Sequence, residues 1–455
     1  MRLGIVLLAL LSGSCGGPPQ SGSVDSRPDL LLLVSDDQGV VLGCYGAEGV
    51  QTPRLDAMAR DGRRFTRAYA PSAVCTPSRS SIYTGLMPAR HGANGFGPIV
   101  DGVPVWGELL GDAGYRTGLI GKVGAKPLRR FPFDFLSRSG RADEGARSLR
   151  WHVEQLDAFL QEDDGRPWAL VVNFRDSHWP FPTDGAPFGE GSPPPHDPAA
   201  VAVPGALVDT PVVRAELARF HDGLRRMDAT VGAVLDRLAE EERDNVVGFF
   251  TSDNGPPFPL AKTTLYEAGI HMPLLAFGPG VEAGDDDHLV SLTDLLPTFL
   301  DLAGTPGVAG AFDGRSLVPL LEGGDPQDWR TSIFATHDAH RVEPAVPSRS
   351  VRFGDWKYIR TWGEGLSFEN AVMLTSDTWP EMVRGASEGD AGLARRVQRL
   401  QFRPSEELYD LGRDPEELVN LAEDPGAPVA TEAAEALAEG RRLLAGTDLV
   451  SDPGR

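Results

Sequence analysis

Cys75-Thr76-Pro77-Ser78-Arg79 brings together a nucleophile, a helix start and a guanidinium in one short stretch. Pro77 suits the first turn of a helix, where its missing N–H costs nothing. Cys75 then sits at the helix N-terminus, whose unpaired backbone N–H groups favour an anion. Arg79 follows one turn later on the same face. Such a set suits a tetrahedral oxyanion, sulfate or phosphate, although a lone cysteine is more often a small buried hydrophobe. Two acidic clusters accompany it. Asp36-Asp37 follows the apolar run 30–34, and Asp253-Asn254 follows the run 245–250. Either pair alone reads slightly better as a turn or helix cap. Together, each at a strand end, they favour a hard divalent cation held by three carboxylates and an amide. Oxygen-only donors point to Ca²⁺, with Mg²⁺ as the lesser option, and disfavour zinc.

These residues need a frame to hold them. Run 30–34 is continuously apolar and runs 169–174 and 245–250 nearly so, as for strands buried on both faces, and each ends in a polar cluster (35–39, 175–178, 251–255). Between them, 52–61 and 214–241 carry apolar residues at helical spacing. The alternation predicts an α/β fold: a large, mostly parallel sheet covered by helices on both faces. Ligands bind beyond the carboxyl ends of strands in such sheets, where all three polar clusters lie. The Pro/Gly/Asp-rich stretch 182–212 reads as a long loop shaping a substrate mouth. After residue 305 the pattern changes. Two short strands around Gly354-Asp355, a strand at 407–410 and an alanine-rich helix at 431–444 predict a smaller C-terminal antiparallel α+β subdomain. The expected division is a catalytic domain over 28–335, the subdomain over 336–447 and a tail over 448–455.

With 41% hydrophobic and 24% charged residues, the 455-residue chain is globular in composition, which excludes collagen, coiled coil and wholesale disorder. Its net charge of -22 argues against a nucleic-acid partner. It is silent on an anionic glycan, because the local field of a pocket decides that. Only Lys122, Lys126, Lys262 and Lys357 are lysines, so each invites inspection. Three cysteines exclude a disulfide scaffold, and Cys44 reads as structural. Arg2 and the short apolar core 3–11 form a targeting segment. Residues 11–15 resemble a bacterial lipoprotein signal with Cys15 as the lipidated residue; a plain secretory signal with an incidental cysteine is the alternative. Both readings export the protein, to the periplasm or the outer surface, and the membrane enters only through a lipid anchor on Cys15. Residues 1–15 are then the signal and 16–27 a flexible tether.

The Cys75–Arg79 stretch, with Thr84-Gly85, resembles the signature of the sulfatase family. Asp36-Asp37, Gly121-Lys122, His178-Trp179-Pro180-Phe181, Asp253-Asn254-Gly255 and Lys262 are similar to the family's other motifs, in order. Glu407-Leu408-Tyr409-Asp410, Asp414-Pro415 and Asn420-Leu421 resemble its C-terminal segment, so the likeness runs from about residue 28 to 424. Two of the four lysines fall on motif positions. The resemblance implies an alkaline-phosphatase-like fold and a metal held by Asp36, Asp37, Asp253, Asn254 and the modified Cys75. It also implies oxidation of Cys75 to formylglycine by a separate maturase. The hydrated aldehyde would attack sulfur with one hydroxyl and expel sulfate with the other. Arg79, Lys122 and Lys262 would hold the sulfate, while His178, helped by Lys262, would protonate the leaving alcohol or amine. Stretches 121–135, 253–266 and 340–351 resemble the heparan N-sulfatases. They place His340 and Arg349 on the substrate and suggest N-sulfoglucosamine within a sulfated glycan.

One departure stands out. The family usually has His two residues after the Lys, where Gly124 stands here. His91, His337 and His340 are the candidates to replace it, His340 foremost, and a Gly124→His change is expected to raise turnover if the loop accepts a side chain. Two other functions compete: a phosphodiester or phosphonate hydrolase of the same superfamily, and a surface lipoprotein that binds sulfated polysaccharide without turnover. The intact Cys-x-Pro-x-Arg weighs against the second.

Overall fold

The computed structural model describes residues 26–138, 147–182, 194–305, 311–340, 346–363, 365, 367–368, 370–423 and 430–447. The signal, Cys15, most of the tether, the tail and the 183–193 part of the expected mouth loop lie outside the described residues. Among the described residues no helix is long and apolar enough to cross a membrane.

The first sheet contains β1 (Asp29–Ser35), β2 (Arg63–Tyr69), β3 (Arg116–Ile120), β4 (Phe135–Ser137), β5 (Trp168–Asn173), β6 (Val246–Ser252), β7 (His271–Phe277), β8 (Gly284–Asp286) and β9 (Val290–Ser291). Their order is β4-β3-β5-β1-β6-β7-β2-β8, with β9 also on β2. Only β7 runs antiparallel to its neighbours. The apolar run in β1 is buried throughout, and its side chains alternate between two cores. Leu31 and Leu33 join one cluster, with the Pro53–Asp61, Leu149–Gln161 and Pro211–Glu240 helices. Leu30, Leu32 and Val34 join the other, with the Cys75–Thr84, Trp106–Asp112 and Leu295–Leu302 helices. A strand needs apolar residues at every position when both faces are covered, which explains the unbroken runs.

The Pro211–Glu240 helix begins with Pro211 in its first turn and the Thr210 hydroxyl accepting from the Val213 N–H, both ordinary start signals. Leu217, Phe220, Leu224, Met227, Val231, Val234 and Leu238 form its buried stripe. The helix starts three residues before the expected Arg214, because Pro211 supplies helical φ without offering an apolar contact.

The second sheet is antiparallel: β10 (Ser332–His337), β11 (Ser348–Phe353), β12 (Trp356–Thr361) and β13 (Glu406–Asp410). β11 and β12 turn at Gly354-Asp355 as expected, with Gly354 at φ +50°. The Ala430–Ala445 helix covers this sheet through Ala433, Ala436 and Leu444. β10, and the helices Thr378–Ser387 and Ala391–Gln401, had no counterpart in the sequence reading. β10 is short, and only alternate residues of its first half are buried.

Buried charge pins the second sheet to the first. Lys357 on β12, fully buried, contacts Glu267 at 2.6 Å and Glu417 at 3.2 Å and donates to the Leu265 carbonyl at 3.1 Å. Glu267 accepts from Tyr69 on β2 (3.0 Å), whose oxygen accepts from Arg352 on β11 (3.3 Å). Two carboxylates share one ammonium, and they divide it unequally. Burial, with the charge of Glu267, pushes Glu417 up to about 7 against the pull of Lys357. Burial opposes ionisation of Glu267 too, but Lys357 and His271 hold it down at about 2.

The sign of the pH effect follows. Unfolded Glu417 ionises near 4.5 and folded Glu417 near 7, so stability from this group is complete below 4.5 and is lost as pH rises to about 7. Denaturant melts of Glu417→Gln are expected to show a flatter pH dependence than wild type in that window. Lys357→Ala strands two buried acids and is expected to cost about 3–5 kcal/mol; a loss below about 1 kcal/mol would show that the network contributes little.

Candidate active site

β1 and β6 pair in parallel with Ser35 opposite Ser252, so the residues after each strand emerge side by side. The Asp37 N–H donates to Asp253 Oδ1 at 3.0 Å, and the Gln38 and Gly39 N–H groups donate to Ser252 Oγ at 3.1 and 3.2 Å. Asp37 has φ +58°, a left-handed turn that Asp tolerates better than most residues. Asp36, Asp37 and Asp253 thereby offer carboxylate oxygens within 4.8 Å of one another, all buried. Asn254 Nδ2 donates to Asp37 Oδ1 and to the Gly255 carbonyl, both at 2.9 Å, while its buried Oδ1 has no partner.

Three permanent cations face the three acids. Lys122, brought in by the Gly121 turn after β3, donates to both oxygens of Asp36 (2.6 and 2.8 Å). Lys262 donates to both oxygens of Asp37 (2.6 and 2.5 Å). Arg79 Nε donates to Asp253 at 2.7 Å and its Nη1 to Asn173, while Nη2 lies 3.6 Å from Asp36 without a hydrogen bond. Burial alone would raise Asp36, yet Lys122, His178 and Arg79 hold it well below the usual range. Asp253 fares worse: burial, with the repulsion of Asp36 and Asp37, pushes it up to about 6 in spite of Arg79 and Lys122. The cluster is short of positive charge at that corner.

The donor set fits a hard divalent cation. Three convergent carboxylates and one orphaned amide oxygen are what such an ion takes, and a buried acceptor without a donor is otherwise rare. With acids and bases already balanced, a dication would leave an excess of positive charge suited to a sulfate group. The sulfur of Cys75 is not among the mutually close ligand atoms. Cys75 opens the Cys75–Thr84 helix, is buried, and is unpaired. Cys44 is also a free thiol; burial and the neighbouring Asp56 push it up to about 12, too high for a reactive thiolate.

His178 Nε2 lies 3.6 Å from Asp37. Its Nδ1 donates to the Trp179 carbonyl, and burial pushes the ring down to about 4 against Asp37 and Asp36. The neutral ring therefore carries its lone pair on Nε2. The loop bearing it is clamped through Asp176, which Arg226 grips at 2.5 and 2.8 Å and which Arg147 also contacts; Arg147 donates on to the His178 carbonyl at 2.7 Å. Sequence reading missed this clamp and Asn173. Arg226 carried a signal, as a charge beside Met227 on a buried stripe.

Arg79 is wholly buried and occupied by Asp253 and Asn173, so of its guanidinium only Nη2 has no hydrogen bond. His340 stacks obliquely on Phe96 at 5.1 Å, and Arg349 pairs with Asp338 at 2.5 Å. Both lie at the β10–β11 end of the second sheet, and among the described residues no hydrogen bond joins either to Asp36, Asp37 or Asp253. His91 uses both nitrogens, Nε2 toward Ser81 (2.9 Å) and Nδ1 accepting from the Ala93 N–H (3.1 Å), so it has none left for proton transfer. His337 is buried in the second sheet and pushed down to about 3 by burial, with Arg403, His340 and Arg349 adding to it.

The loop does not accept a side chain at Gly124, so the condition attached to the expected gain in turnover is not met. Gly124 has φ +70°, and a Cβ on it would lie 2.2 Å from Arg79 Cδ. The backbone passes so close over Arg79 that only glycine fits.

Residues 28–305 match the family model described as Sulfatase, and residues 260–377 match the N-sulphoglucosamine sulphohydrolase C-terminal model. Human N-sulphoglucosamine sulphohydrolase is 34% identical, over 92% of this chain and 89% of its own. The chain belongs to the sulfatase family. An ulvan-active sulfatase of Formosa agariphila is 27% identical over 89% of this sulfatase and 78% of its own length. Among solved structures, the phosphonate monoester hydrolase of Agrobacterium radiobacter superposes with a TM-score of 0.69 at 20% identity, over 92% of this chain and 95% of the other, a likeness of fold.

Gly124→His and Gly124→Ala are both expected to lower sulfatase turnover and stability, since either displaces Arg79 from Asp253 and forces a left-handed side chain costing about 1–2 kcal/mol. Steady-state rates and melts of the two variants decide it: a Gly124→His enzyme as stable as wild type and faster would overturn the steric account.

Proposed function

We propose that this sulfatase hydrolyses the N-sulfate of glucosamine in heparan-type glycans. The reading is carried by the N-sulphoglucosamine sulphohydrolase C-terminal match, which spans the Lys262 loop, His340 and Arg349, and is supported by the 34% identity along most of the chain. It includes export, with Cys15 as a lipid anchor, and a maturase that converts Cys75 to formylglycine.

Asp36, Asp37, Asp253 and Asn254 would hold the cation, Ca²⁺ in preference to Mg²⁺, which when bound would lower the hydroxyl pKa and neutralise sulfate charge. The modified Cys75 supplies, as its aldehyde hydrate, the hydroxyl that accepts the sulfuryl group. The remaining work falls to ordinary side chains. Lys122, Lys262 and Arg79 Nη2 present N–H donors to the sulfate oxygens and stabilise the charge that develops there. The site is buried, so these charges act with little screening. As the S–N bond breaks, His178, protonated on Nε2 once the anionic substrate is bound, passes that proton to the leaving nitrogen, its ring held by the Trp179 carbonyl and its loop by Asp176 and Arg147. His340 and Arg349, on the second sheet, contact the sugar beyond the sulfate.

Enzyme co-produced with a maturase, assayed for sulfate release, is expected to prefer N-sulfoglucosamine over 6-O-sulfated glucosamine, 4-nitrophenyl sulfate and a phosphonate monoester. A peptide spanning residue 75 should carry an aldehyde, and Cys75→Ala should fold but lose turnover. Exhaustive chelation should abolish activity and Ca²⁺ restore it. Preference for the phosphonate would falsify the substrate assignment, and full activity of unmodified thiol enzyme would remove the nucleophile.

A further inference from the structure

Lys262 sits in a loop whose backbone is under strain. Leu260 has φ +64° and Thr263 φ +70°, and a β-branched residue in the left-handed region is an outlier that persists only when its surroundings enforce it. Three bonds do so. The Thr263 N–H donates to the Ala73 carbonyl at 2.9 Å, two residues before Cys75, and the Lys262 N–H donates to the Pro256 carbonyl at 3.1 Å. The third comes from outside the first sheet and its loops: Asn370 Nδ2 donates to Thr263 Oγ1 at 2.6 Å. Asn370 is 2% exposed and Thr263 1%, so no water competes for this bond. Asn370 is itself fixed, because its Oδ1 accepts from the Met373 N–H at 2.8 Å and caps the Ala371–Thr375 helix.

We propose that Asn370 is a positioning residue for sulfuryl transfer: through Thr263 it holds the strained loop that aims Lys262 at Asp37 and the sulfate. The inference rests on the role proposed for Lys262. The amide of Asn370 divides its functions, the oxygen serving its own helix and the nitrogen serving the lysine loop. Without the nitrogen, Thr263 has no side-chain partner among the described residues to oppose relaxation to negative φ. Relaxation there turns the peptide next to Lys262 and moves its ammonium away from the carboxylate.

The split amide makes the test. Asn370→Ser keeps a good N-cap but is too short to reach Thr263, and Thr263→Val removes the same bond from its other end. Rates are measured on matured enzyme with N-sulfoglucosamine and with 4-nitrophenyl sulfate, so an error in the sugar assignment leaves one substrate on which to read the result. Both variants should melt near wild type, with kcat lowered by ~10- to 100-fold, as for a misplaced catalytic group, and KM little changed. Combined with Lys262→Ala, Asn370→Ser should add almost nothing, since two changes acting through one group are not additive. Unchanged kcat in both single variants, or a double variant losing the product of the two separate effects, would overturn the proposal. A Lys262→Ala enzyme with wild-type kcat would instead remove the role of Lys262 itself, and the positioning of that group would then have no catalytic meaning.

Discussion

Mutual repulsion among three carboxylates shut away from water is the constraint on which the rest of the molecule depends. Asp36, Asp37 and Asp253 are all buried, and their charges are poorly screened there. Unaided, such a group would protonate or drive the loops apart. Each acid is therefore met by a cation from a different part of the chain: Lys122 after β3, Lys262 after β6, and Arg79 from the signature helix. The parallel register of β1 and β6 creates the problem by placing the acids together, and those three segments are arranged to answer it.

The answer propagates outward as steric demands. Arg79 can reach Asp253 only if the loop after β3 passes over its side chain without a Cβ, which is where Gly124 lies. His178 keeps one nitrogen toward the acids because its loop is clamped by Asp176, Arg226 and Arg147. Phe181, beyond His178, stacks on Phe258 of the lysine loop at 6.0 Å, and Phe220 of the long helix meets Phe258 at 5.4 Å. The loops that carry His178 and Lys262 are thus packed against each other and against the same helix.

The second sheet is more than an appendage. Its β12 buries Lys357 between Glu267 and Glu417, and Tyr266 of the first part donates to Glu407 on β13 at 2.7 Å. The Thr336 N–H at the end of β10 donates to the Pro71 carbonyl at 2.9 Å, just before the segment that leads to Cys75. Polar burial of this kind is costly unless every member is paired, so the two sheets hold one relative placement. The same placement delivers Asn370 to Thr263.

Local sequence determined the elements and the kind of chemistry. Largely apolar runs became β1, β5 and β6 because both faces are covered, and polar residues just after them marked the edge where the carboxylates gather. Cys75, Pro77 and Arg79 read as a helix start with an anion preference, and the order of the remaining motifs carried the family. What tertiary structure decided depends on distances between residues remote in the chain. That Arg79 serves Asp253 and Asn173, that glycine is compulsory at 124, and that His91 is fully committed to Ser81 and Ala93 could not be read from spacing. A hydrogen bond or a missing Cβ is specified by what packs opposite, and pattern along one chain does not record its partner across the fold. The Lys357 network and the reach of Asn370 to Thr263 are of the same kind, joining positions about a hundred residues apart that only the packing of two sheets brings within bonding distance.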